Sequence, residues 1–166
     1  MGLFDMFSGD SSAEMTPHFA FATSLIYMMS ADGKIENEEV GQLLSVLGGD
    51  NQGGTIGVGA NNRKLLDRAV KYVQSHTPEQ FFGEAVPVLG DAQKICILTN
   101  ILDSSLSDGS AASEEQELFA KFLQAFSIPE ERFQPFFEVI ALKNDRSVFT
   151  NPDHPRNSGE VTLQTK

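Results

Sequence analysis

Two short stretches carry the residues that could do chemistry. Ser30-Ala31-Asp32-Gly33-Lys34-Ile35-Glu36-Asn37-Glu38-Glu39 and Leu106-Ser107-Asp108-Gly109-Ser110-Ala111-Ala112-Ser113-Glu114-Glu115 share one pattern. Each places an Asp-Gly pair ahead of a Glu six residues after the glycine, with a second Glu just before that one. An all-oxygen ligand set suits a hard cation, so Asp32, Glu39, Asp108 and Glu115 are the candidate metal ligands. Glu38 and Glu114 are outer or substitute ligands. Calcium or magnesium fits best, manganese less well, and no other cofactor is indicated.

The pattern also matches the back half of a calcium-binding EF-hand loop, but its front half is missing. The earlier ligand positions hold Met28 and Ser30 in one copy, and Ser104 and Leu106 in the other. A site therefore needs both turns, or many waters. The plainer use is structural. Glycine ends a helix by taking up a left-handed backbone, and acidic residues at the next N-terminus cap free amides and oppose the macrodipole.

Nothing else in the chain points to catalysis. His18, His76 and His154 are scattered, with no metal-binding histidine pair on a helix and no nucleophile elbow, so no catalytic residue is assigned and no enzyme is expected. The Gly-rich run Gly48–Ala60 lacks the Gly-Lys-Ser/Thr of a phosphate cradle and reads as a loop. Cys96, the one cysteine, lies in the apolar run Lys94-Ile95-Cys96-Ile97-Leu98 and reads as a buried, inert thiol.

Helices must position the turns. Thr16-Pro17 is a start signal, a capping hydroxyl followed by proline, for a helix to about Ala31 that is apolar nearly all round. A second helix begins near Asn37, with Val40, Leu43, Leu44 and Leu47 on one face. A third covers about Asn62 to Ser75, with Leu65, Leu66, Ala69, Val70 and Val73 inward and a basic outer side of Arg63, Lys64, Arg68 and Lys71. Thr77-Pro78-Glu79-Gln80 is a capping box that opens a short helix. A long helix follows from Asp91 or Ala92 to Leu106, striped by Ile95, Leu98, Leu102 and Leu106. Ser113-Glu114-Glu115-Gln116 is another capping box, and Pro135 precedes a last helix from Phe136 to about Leu142. This is an all-α chain of about seven helices.

The two turns stand 76 residues apart, and the helices around them keep that register. Ala22 falls on Leu98, Leu25 on Ile101, Ile26 on Leu102, and Leu43 on Phe119. Duplication of a helix–turn–helix explains this best, with a pseudo-two-fold relation bringing the central helices together. With this organisation from Thr16 to Leu142, and with the two Asp-Gly…Glu-Glu turns as the specific part, the chain resembles the TerB-like family, named for tellurite resistance. The resemblance implies a duplicated all-helical core whose two halves supply acidic ligands, here Asp32, Glu39, Asp108 and Glu115, to a divalent metal. It also implies a non-enzymatic binding or scaffold role in bacterial stress or tellurite resistance. The alternative is a metal-free protein–protein interaction module whose acidic turns are structural.

Composition sets the remaining expectations. The formal charge of −11 argues against nucleic acid, whose binding rests on many Lys and Arg contacts, and favours cations or basic partners. Other proteins are the expected partners. The short apolar stretch Met1–Phe7 either packs on the domain or acts as a weak membrane anchor. No stretch is long enough to span a bilayer, and no signal peptide is evident, so the expected location is cytoplasmic. The expected organisation is a flexible N-terminus over 1–15, a helical domain over 16–143 with halves meeting near 76, and an extended or disordered tail over 144–166.

Overall fold

Ten consecutive buried residues, Phe19 to Met28, make α1 (Pro17–Met29) the axis of the fold. The Thr16 hydroxyl accepts from the Phe19 N–H at 3.2 Å, and Pro17 occupies the first helical position, so the helix starts where local chemistry dictates. Ser24 is buried but donates to the Ala20 carbonyl at 2.7 Å, which satisfies its hydroxyl inside the core. The structure is a computed structural model and describes residues 14–33, 35, 40, 41, 43, 62–107 and 109–164. The N-terminal stretch Met1–Phe7 and the Gly48–Ala60 run lie outside the described residues. So does most of the helix predicted from Asn37, although Val40, Gly41 and Leu43 are helical and Leu43 is buried.

The other helices are α2 (Asn62–Ser75), α3 (Pro78–Ala85), α4 (Asp91–Leu106), α5 (Ser113–Ala125), α6 (Glu130–Asn144) and α7 (Ser147–Thr150). Short 3₁₀ turns at Val86–Val88 and Pro155–Asn157 complete the described residues, which contain no strand. α1 packs chiefly on α2 and α4, and α4 also packs on α5 and α6. The two long apolar helices thus lie together at the centre. Ala22, Leu25 and Ile26 of α1 and their 76-residue counterparts Leu98, Ile101 and Leu102 of α4 are all buried.

Aromatic rings fill the space between the helices. Phe82 lies edge-on to Phe122 at 4.9 Å, and Phe122 edge-on to Phe126 at 5.6 Å. On the α2 side the buried Tyr72, absent from the expected inward set, packs edge-on to Phe19 at 5.6 Å and stacks on His76 at 3.9 Å. Arg68 is exposed, as expected of the basic outer side, and its guanidinium lies 5.0 Å over the Phe19 ring.

Three expectations are corrected. Cys96 is exposed, because α4 buries Ile97, Leu98, Ile101, Leu102 and Ser105, and that stripe turns residue 96 to the surface. The last long helix starts at Glu130, not Phe136, and runs through Pro135. The missing N–H of Pro135 would have met the carbonyl of Glu131, an exposed residue at which water can replace the lost bond, while buried Phe133 anchors the opening turns. Ser113 is not a cap. Ala112 occupies the N-cap position, so the box has only its returning half.

Past Asn144 the chain folds back. Asp145 gathers the Ser147 N–H at 3.1 Å, the Ser147 hydroxyl, His154 Nε2 at 3.2 Å and Arg156 at 3.4 Å. Asn157 Nδ2 adds a bond to the Val148 carbonyl at 2.7 Å. These local bonds hold two short helical turns where the sequence has no helical periodicity. No helix among the described residues is long and apolar enough to cross a membrane.

Candidate functional site

The two glycines of the Asp-Gly pairs both have positive φ. Gly33 has φ +89° and donates its N–H to the Ser30 carbonyl at 2.8 Å. Gly109 has φ +97° and donates to the Leu106 carbonyl at 2.9 Å, the position 76 residues on. A side chain rarely accepts that backbone, so glycine at both places follows from the turn itself. A Cβ at either glycine would meet nothing within 4 Å, so conformation, not crowding, selects the residue.

Among the candidate ligands, Glu39 and Asp108 lie outside the described residues, as does Glu38. Asp32 is exposed at the end of α1. Glu115 is half-buried, and its Oε2 accepts from the Ala112 N–H at 2.7 Å, where it closes the start of α5. Glu114 accepts from the Ser113 hydroxyl at 3.0 Å. Among the described residues no three His, Cys, Asp or Glu side chains are grouped closely enough to hold a metal ion.

The turns border two different hollows. Gly33 lines one of about 490 Å³ together with Tyr27, Val73, Glu114 and Glu117. Glu115 lines another of about 550 Å³ with Ser107, Ser110, Asp103 and Lys143. The first turn thus meets the start of α5, while the neighbouring glutamates Glu114 and Glu115 open in different directions. In the second hollow, partial burial works against the Asp103 carboxylate, but bonds from Lys143 and Asn144 outweigh it and hold its pKa below the ordinary value.

His154 is set by the turns that follow α6. The backbone N–H of Arg156 donates to His154 Nδ1 at 3.1 Å, which leaves Nε2 as the donor towards Asp145. Ser147 also bonds Asp145, so serine and histidine share the carboxylate instead of bonding each other. The Tyr27 hydroxyl donates to the His76 carbonyl at 2.8 Å. Burial, then the nearby Glu84 carboxylate, pushes the Tyr72 hydroxyl up to about 12. Both tyrosines are therefore neutral pieces of the core.

A different surface stands out. Among the described residues the exposed large apolar side chains are Val88, Phe136, Phe137, Val139, Phe149, Val161 and Leu163. All but Val88 belong to α6, α7 and the segment after them, and Phe149 is 93% exposed. Sequence reasoning placed Phe136 in a helix but did not single out this surface; adjacent Phe136-Phe137 gave no clear signal, since the equally adjacent Phe81 and Phe82 are both buried. Compared with protein-family models, with curated proteins and with solved structures, the chain gives no match.

Proposed function

We propose that this chain is a non-enzymatic protein-binding module whose acidic turns serve the fold. The observation that carries it is where the exposed large apolar side chains lie: among the described residues, six of the seven belong to the C-terminal helices and the segment after them. The Glu115–Ala112 bond supports a structural use of the second turn, since it engages the carboxylate in starting α5.

A second reading is favoured by the positive φ shared by Gly33 and Gly109. In it the duplicated halves present Asp32, Glu39, Asp108 and Glu115 to calcium or magnesium, and kinship with the TerB-like family and a role in stress response belong with it. Calorimetric titration of the full chain with calcium and with magnesium separates the two. The first reading predicts no saturable heat and an unchanged melting temperature. Saturable binding that weakens in both Asp32→Asn and Asp108→Asn would replace it with the second.

A further inference from the structure

We propose that the groove between α6 and the returning C-terminal segment receives a cationic amphipathic segment of a partner protein, which rests on the reading of the chain as a protein-binding module. The groove encloses about 560 Å³. Phe137, Ala141 and Leu142 form one wall, and Val161 and Leu163 the other. Phe136 and Val139, 40% and 48% exposed, continue the apolar surface along α6. An apolar trough beside a helix is the usual seat of an amphipathic segment, which inserts side chains at spacings of three and four residues.

Charge identifies the occupant. Glu138 and Glu160 lie in the groove lining. The Glu138 oxygens accept from Gln134 Nε2 at 3.2 Å and from the Gln164 N–H at 3.4 Å, both neutral donors. Among the described lining residues Arg156 is the cation, and it already meets Asp145 at 3.4 Å. The described groove lining therefore combines apolar side chains with the carboxylates of Glu138 and Glu160, within a chain of net charge −11. A second copy brings the same surplus of negative charge, and an anionic lipid surface is repelled likewise. A segment with leucine-like side chains on one face and lysine or arginine on the other satisfies both features.

The test uses the full chain and two synthetic helical peptides of one apolar pattern, one of leucine and lysine, the other of leucine and glutamate. Binding is read by fluorescence anisotropy at low and physiological salt, and sedimentation reports self-association. The Leu/Lys peptide is expected to bind, more weakly as salt rises. Its affinity should fall about tenfold or more in Phe137→Ser and in the double variant Glu138→Gln/Glu160→Gln, with Glu117→Gln unchanged. The charge variants keep side-chain shape, so their effect does not depend on how Phe137→Ser folds. Equal binding by parent and groove variants would overturn the groove while leaving a protein-binding module intact. Preference for the Leu/Glu peptide would overturn the charge assignment, and dimerisation abolished by Phe137→Ser would assign the face to a second copy. A monomeric chain that binds neither peptide would overturn the groove and the module reading together.

Discussion

α1 and α6 are helices of similar length, 13 and 15 residues, that use their apolar side chains in opposite ways. α1 buries ten residues in succession, whereas in α6 only Phe133 is fully buried, and Phe136, Phe137 and Val139 stay exposed. The difference is one of position. α1 is covered by α2 and α4, whereas α6 lies outside α4 and has one face left over. Apolar content alone does not report what a helix does; the number of faces its neighbours cover does.

The largest effects should therefore come from α1. Ile26→Ala removes a fully buried side chain at the contact with α4 and is expected to cost about 2–5 kcal/mol in urea unfolding. An effect below about 1 kcal/mol would mean that α1 is not the packed axis. Next come the two turns. Gly33→Ala and Gly109→Ala should each destabilise by about 1–2 kcal/mol, and by similar amounts, because both force a side chain into positive φ with nothing to clash against. Unequal losses would separate the two turns and weaken the case for a repeat.

Thr16→Ala should cost about 1 kcal/mol through loss of the α1 cap, again read by urea unfolding. A smaller, pH-dependent effect belongs to the α4–α6 contact. The Asp103 pKa is depressed in the folded chain, so its contribution is fully present above the unfolded value and is lost as pH falls through the folded one. Melting temperature followed from neutral pH down through the carboxylate range should fall less steeply for Asp103→Asn than for the parent. Parallel curves would show that Lys143 and Asn144 do not hold that carboxylate in solution.

What the sequence made legible was local. Thr16-Pro17 and Thr77-Pro78-Glu79-Gln80 announced their helices because a cap is a bond between a side chain and a backbone a few residues away. The left-handed glycines at 33 and 109 were legible for the same reason. What depended on neighbours was not. Ile95, Cys96 and Ile97 are consecutive and apolar, and only the placement of α4 against α1 decides that Ile97 goes in and Cys96 out. Pro135 read as a break because proline usually is one; its place over the exposed residue Glu131 and a buried Phe133 let the helix continue. The Asp145 junction spans nine residues to His154 and has no periodicity to betray it. Helical spacing puts Glu114 and Glu115 at one helix end, but which hollow each one meets depends on the surrounding helices.

The contrast between α1 and α6 is tested most directly by replacing the exposed face of α6 with Phe136→Ser, Phe137→Ser and Val139→Ser together and measuring unfolding in urea. If that face serves contact with another protein, the triple variant keeps its stability within about 1 kcal/mol of the parent, as surface changes do. A loss comparable to that of Ile26→Ala, about 2–5 kcal/mol, would show that the face belongs to the core and would contradict the account.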